Sequence, residues 1–155
     1  MRQLKMLVIN PQKCSGCRMC ELWCSFVKYD EMNPLLSAIR IVDKQPVVCL
    51  QCRLCFNACP VDGAMIINRK YGTVNVTDKC IGCGLCVLAC PIGIITINTN
   101  KNKALKCDYC NGDPQCVKHC TYNAIDYVNI NIGANVRRKS FARGISSSEV
   151  QGGYF

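Results

Sequence analysis

The sequence contains one histidine, His119, and one tryptophan, Trp23, among 155 residues. A single imidazole rules out a zinc site of two cysteines and two histidines. Long apolar runs are missing as well. The stretch Met6 to Ile9 is far too short for the hydrophobic region of a secretory signal, and nothing approaches membrane-spanning length. A cytoplasmic location without membrane insertion is therefore expected. There is no glycine-rich phosphate loop after a strand, no nucleophile–base pattern and no dinucleotide fingerprint. Those enzyme classes fall away, and a non-catalytic role is expected. No long amphipathic helix is evident, so helix packing would supply little of the interior.

What the sequence does have is cysteine: sixteen residues, arranged as four groups. CSGCRMCELWC, CLQCRLCFNACP and CIGCGLCVLACP begin at Cys14, Cys49 and Cys80. Each places four cysteines two, two and three residues apart. The fourth group, CDYCNGDPQCVKHCT from Cys107, puts five residues between its second and third cysteines, and Thr121 stands where proline ends the middle two groups. Such density means either a disulfide framework in a secreted chain or metal ligation in a reducing compartment. Three cysteines at successive two-residue intervals can point at three irons of one cubane, while the fourth, on the short helix leaving the loop, faces away. Structural zinc, the main rival, uses two separated pairs. Iron–sulfur ligation is the better fit to this spacing.

The charge balance supports that choice. The formal charge is +9, which alone would suggest a nucleic-acid partner. That count treats every cysteine as a neutral thiol. Each cubane with four thiolates carries about −2, so four of them bring the chain to about +1. The cations then mostly balance the cofactors, and no nucleic-acid partner is expected. A metal-stabilised nucleic-acid-binding module remains the rival of a different class.

Between the cysteine groups lie strand-like pieces near Ile41, Ile66, Val74 and Ile95, with turns at Tyr71–Gly72 and over Asn98–Asn102. LKMLVIN before the first group and IDYVNINI after the last are expected to pair. Beyond Gly133 the chain turns basic, with Arg137, Arg138 and Arg143, then rich in Ser and Gly. Residues 134–155 are expected to form an irregular tail, with a docking arm as the sharper reading.

The span Cys49 to Ile97 resembles a complete bacterial two-[4Fe–4S] ferredoxin. From about Lys5 to Val128, carried by VINPQKCSGCRMCELWCS and KCDYCNGDPQCVKHCTYNAI, the chain resembles a larger family. These are the four-cluster ferredoxin-like subunits that serve molybdenum and tungsten pterin oxidoreductases, among them dimethyl-sulfoxide-reductase-type iron–sulfur subunits and the small partners of tungsten aldehyde oxidoreductases. The resemblance implies an α+β fold of two nested ferredoxin-like modules with short strands and short helices. The inner would span about 45–98 and the outer about 5–44 with 99–132, within one domain over 1–133.

The resemblance also implies four ligand sets. Cys14, Cys17 and Cys20 would join Cys120. Cys107, Cys110 and Cys116 would join Cys24. Cys49, Cys52 and Cys55 would join Cys90, while Cys80, Cys83 and Cys86 would join Cys59. Every cysteine is then used, with Ser25 and Thr121 departing from the pattern only at non-ligand positions. The implied function is a hetero-oligomeric electron-transfer subunit with four [4Fe–4S] clusters. It would pass single electrons between a catalytic subunit, preferably a tungsten or molybdenum aldehyde oxidoreductase, and a second carrier. A hydrogenase, formate dehydrogenase or carbon monoxide dehydrogenase partner is the next choice.

Other residues invite tuning or neutral readings. Gly16, Gly82 and Gly84 lie in loops where φ > 0 suits glycine, although Gln51 and Arg53 occupy matching slots. Arg18 and Arg53 follow the second cysteine of their groups, where the third group has Gly84. A cation there would favour the reduced cluster by on the order of 3 kcal/mol at ~6 Å and an effective dielectric of ~20. The cluster of Cys80, Cys83 and Cys86 is then expected to have one of the lower potentials. His119 reads as a surface or supporting residue and Trp23 as a cluster shield, while Lys103, Lys106 and Lys118 read as a solvated rim. The longer loop Asn111 to Gln115 reads as a modified rim that a partner would contact.

Overall fold

Among the described residues, short apolar runs pair into four separate two-stranded antiparallel sheets. The computed structural model describes residues 4–146. The strands β2 (Arg40–Val42) and β3 (Gln45–Val47) form a hairpin closed by Asp43 and Lys44, both at positive φ, as a two-residue turn demands. β4 (Met65–Asn68) pairs with β5 (Thr73–Val76), and β6 (Thr96–Asn98) with β7 (Lys103–Leu105). The expected strands near Ile41, Ile66, Val74 and Ile95 therefore mark four of these elements, and the two expected turns link two of the hairpins. The fourth sheet is different in kind. β1 (Lys5–Ile9) meets β8 (Ile125–Asn129) with Lys5 opposite Asn129 and Ile9 opposite Ile125, so the two flanks of the cysteine region close on each other as expected.

Each cysteine group runs into a helix: α1 (Met19–Tyr29), α2 (Leu54–Asn57), α3 (Leu85–Leu88) and α4 (Gln115–Lys118). Three are single turns, as expected. α1 has 11 residues and corrects that expectation. Pro60 and Pro91 disfavour helix at the residues before them, whereas Ser25 lets α1 run on past Cys24. Ser25 is fully buried; its hydroxyl donates to the Leu22 carbonyl at 2.8 Å and accepts from the Asn33 amide at 3.0 Å.

The C-terminal region needs a second correction. Residues Ile130–Ser146 form a helix, α5, packed on β1 and β8, so the expected irregular tail is helical through Ser146. Close packing explains it: a β-carbon on Gly133 would run into the Met6 side chain. The Ser- and Gly-rich remainder of the expected tail lies outside the described residues. Among the described residues no helix is long and apolar enough to cross a membrane.

Two apolar clusters form the interior. One gathers Leu7, Cys20, Cys24, Ile39, Leu105, Tyr109, Cys116 and Ile125. The other gathers Cys49, Cys55, Met65, Val74, Cys86, Ile94, Ile95 and Ala104. Cys107 packs against both and marks their seam.

Candidate metal centres

The cysteine loops share one backbone device. The residue before the second cysteine has positive φ in every loop: Gly16 at 78°, Gln51 at 54°, Gly82 at 70° and Tyr109 at 57°. So does the residue after it: Arg18 at 63°, Arg53 at 68°, Gly84 at 82° and Asn111 at 53°. Left-handed residues at these two places curl the loop round its own thiols. The cost to a residue with a β-carbon is about 1 kcal/mol or more, which at Gln51 is offset by side-chain hydrogen bonds to Cys107, Val74 and Lys106. In the fourth loop Cys110 itself is also left-handed, at 47°, and the inserted Gly112 lies against the Tyr71 ring. The longer loop therefore packs partly on its own chain.

None of the sixteen cysteines is joined in a disulfide. Three cavities are each lined by four of them. Cys14, Cys17, Cys20 and Cys120 line the first. Cys24, Cys107, Cys110 and Cys116 line the second. Cys49, Cys52, Cys55 and Cys90 line the third. Of the remaining four, Cys80 and Cys83 sit close enough to Cys86 to act on its ionisation, and Cys59 packs in the same apolar cluster. Among the described residues no three His, Cys, Asp or Glu side chains converge as one mononuclear ion requires.

The environment of these thiols suits an iron–sulfur core. Burial pushes the Cys20 thiol up to about 12, helped by the Glu21 carboxylate. Burial likewise lifts Cys86 to about 11, with Cys80, Cys55 and Cys83 adding to it. Cys107 and Cys116 are also pushed up, first by burial and then by neighbouring cysteines. Such thiols hold a charge only against a strong local cation, which the iron of a bound cluster provides. Backbone amides reach three of the sulfurs: Ala38 to Cys24 at 3.3 Å, Ala104 to Cys80 at 3.4 Å and Ala124 to Cys120 at 3.3 Å. Hydrogen bonds of this kind raise a cluster's potential. Cys17, Cys52 and Cys83 are exposed, so three of the four loops carry a thiol to the surface; Cys110 is half-buried.

Around the cavities the charges are arranged in ways the sequence did not reveal. Arg18 donates to Glu21 at 2.6 Å, and Glu21, fully buried on α1, also accepts from the Ile41 amide at 2.9 Å. The Arg18 charge is therefore largely neutralised, which removes it as a simple tuning cation. Lys28, on the wall of the Cys24 cavity, pairs with Asp108 at 2.7 Å. Burial opposes the charge on Lys28, but Asp108 outweighs it and holds the ammonium above the ordinary lysine value. Lys118 pairs with Asp113 at 2.6 Å and Lys103 with Asp78, both at the surface as expected of a rim. Lys106 does not belong to that rim: it is 6% exposed and lines the Cys49 cavity. Its burial comes from β7, which carries it between the two apolar clusters. Trp23 stacks flat on His119 at 3.6 Å and meets Phe26 edge-on, joining α1 to α4.

Glu21, Lys28, Lys106 and Gln51 are the site residues that sequence reasoning missed. Each looked like an ordinary polar residue beside or within a cysteine group. A glutamine in a slot held twice by glycine was the one available signal.

Models described as 4Fe-4S dicluster domain match residues 40–97 and 79–124. The polyferredoxin-like subunit of aliphatic sulfonate oxidoreductase from Pyrococcus furiosus is 40% identical over 122 residues, covering 74% of this chain and 70% of that one. An uncharacterised ferredoxin of Methanocaldococcus jannaschii is 38% identical over 136 residues, covering 83% and 75%. Subunit beta of NADH-dependent phenylglyoxylate dehydrogenase from Aromatoleum evansii is 29% identical, and the chain spans only 31% of its length. Among solved structures, a chain of the BamBC active-site complex of benzoyl coenzyme A reductase aligns with a TM-score of 0.48 at 22% identity, covering 97% of this chain and 98% of that one.

Proposed function

Because this chain belongs to the 4Fe–4S dicluster ferredoxin family, we propose that it is the electron-transfer subunit of a tungsten or molybdenum pterin aldehyde oxidoreductase, relaying electrons to a second carrier. It is an iron–sulfur electron-transfer protein, and its sixteen cysteines are the complement of four [4Fe–4S] clusters. The observation that supports the cluster-carrying role is the lining of the cavities. Three of them bring together Cys14, Cys17, Cys20 with Cys120, then Cys107, Cys110, Cys116 with Cys24, then Cys49, Cys52, Cys55 with Cys90. Cys80, Cys83, Cys86 and Cys59 would hold the fourth cluster. When bound, such clusters supply one-electron transfer without proton or group chemistry. The chain's own work is to bury the thiols, aim amides at sulfur and expose Cys17, Cys52 and Cys83 where carriers can approach. The expected nesting, with the inner module at about 45–98 and the outer at about 5–44 and 99–132, follows from the same assignment.

The similarity to a subunit of aliphatic sulfonate oxidoreductase favours, as a second reading, a partner that acts on sulfonates. Anaerobic purification of the native complex tests both. About sixteen irons per chain, with a large subunit containing tungsten or molybdenum and oxidising aldehydes, supports the first reading. A partner active on sulfonates alone selects the second, and one or two zinc ions in place of iron overturns both.

A further inference from the structure

Three cluster cavities each carry a cation in the wall, but only one of these cations is both buried and free of a carboxylate. At the Cys14 cavity, Arg18 is bound to Glu21. At the Cys24 cavity, Lys28 is bound to Asp108. At the Cys49 cavity, Arg53 is exposed and screened by water, whereas Lys106 is buried. The Lys106 ammonium donates to Gln51 Oε1 at 2.7 Å and to the Cys107 carbonyl at 3.0 Å, and reaches Cys49 Sγ at 3.7 Å. Among the described residues no carboxylate pairs with it.

Gln51 holds this cation in place. Its side-chain amide donates to the Cys107 carbonyl at 2.8 Å, while Oε1 accepts from the Val74 amide at 3.1 Å as well as from Lys106. These bonds explain why a glutamine is kept at a φ of 54°, in a slot filled elsewhere by Gly16 and Gly82. The network joins the first cysteine of the second group to the first cysteine of the fourth, across the seam between the apolar clusters.

Resting on the ligand sets above, we propose that Lys106 makes the cluster of Cys49, Cys52, Cys55 and Cys90 the first of the four to be reduced. A one-electron donor adds one negative charge to that core, and the nearby ammonium stabilises it. Burial keeps the attraction from being screened. At the other two cavities the paired carboxylate cancels most of the same effect, and beside Cys80 Lys79 is exposed and Lys103 is paired with Asp78. Electrons entering from either side would then settle at the seam.

The proposal is tested by stepwise reduction of the intact protein with viologen-mediated dithionite, followed by electron paramagnetic resonance. In Lys106→Gln, the reduction equilibrium of the first-reduced cluster should fall at least about tenfold, which is 59 mV for one electron. Lys106→Arg, which keeps the charge, should fall less than about threefold. A Lys106→Gln protein with full iron and unchanged midpoints overturns the proposal, as does an equal loss in Lys106→Arg. The wild type supplies a test that does not depend on either variant folding. With lysine labelled by ¹⁵N at Nζ, the first-reduced cluster should show nitrogen coupling in electron–nuclear double resonance, and should keep it in Lys28→Arg. Absence of that coupling overturns the proposal too. Failure of the ligand assignment itself is distinct: Cys49→Ser would then retain about sixteen irons.

Discussion

The two apolar clusters are built from the same cysteine loop but by different means. The cluster around Met65 and Val74 comes almost wholly from one continuous stretch, with a local hairpin, β4–β5, and two single-turn helices that stop short of Cys–Pro. The cluster around Leu7 and Tyr109 joins residues about a hundred positions apart. It uses a long-range sheet, β1–β8, an extended helix, α1, and polar contacts such as Glu21 to Ile41 and Lys28 to Asp108. Closing long loops has an entropic cost that local hairpins avoid. The non-local half is tied by carboxylates, Glu21 and Asp108, whereas the local half is tied by the uncharged Gln51, which accepts from the Val74 amide and from Lys106.

The comparison is broken most completely by cutting the chain. A fragment of residues 40–98 should reconstitute with about eight irons and two clusters, whereas a chain lacking 49–97 should hold none. Iron and labile sulfide counts after anaerobic reconstitution decide this, and a fragment that binds no iron would remove the idea of a self-sufficient inner half. Next in size is Glu21→Gln. It weakens the bonds to Arg18 and the Ile41 amide inside the non-local half and should cost about 2 kcal/mol. Denaturant unfolding followed by cluster bleaching measures it, with the signal from the outer clusters lost first.

Lys28→Met should cost somewhat less, about 1.5 kcal/mol, because the pair with Asp108 is partly open to water. The sign of its pH dependence follows from the raised pKa. The pair's contribution is complete below the ordinary lysine value of 10.5 and fades only as pH rises beyond it. The penalty in unfolding experiments should thus be flat between about pH 6 and 9, and a penalty that shrinks within that window would count against the pair. The smallest effect belongs to Asp78→Asn, which breaks the surface pair with Lys103. A clear loss of stability in the same assay would mean that this contact is more than a solvated one.

Much of this architecture was legible in advance, for identifiable reasons. The strand-like pieces near Ile41, Ile66, Val74 and Ile95 are short apolar stretches beside turn residues, and the structure places a strand at or next to each. β3 and β7 were not legible. They are three residues long, one contains Pro46, which cannot donate to a ladder, and the other is flanked by polar residues. The helix α5 escaped notice because INIGANVRRKSFARGIS has β-branched and glycine residues and no clear apolar stripe. It is helical where Gly133 lets it lie against β1. The length of α1 was implicit in Ser25, a departure from the proline pattern whose consequence lay in helix continuation rather than in ligation.

The lysines preceding three cysteine groups show where the boundary lies. Lys13, Lys79 and Lys106 each stand directly before the first cysteine of a group, and in the sequence they are equivalent. The sequence alone determined the number of thiols, their spacing within each loop and hence the kind of cofactor, because those depend on covalent reach over a few residues. Only the tertiary structure decided that Lys13 and Lys79 face water while Lys106 is buried beside Cys49. Burial depends on which distant elements pack over a residue, and here Gln51, brought from 55 positions away, closes over one lysine.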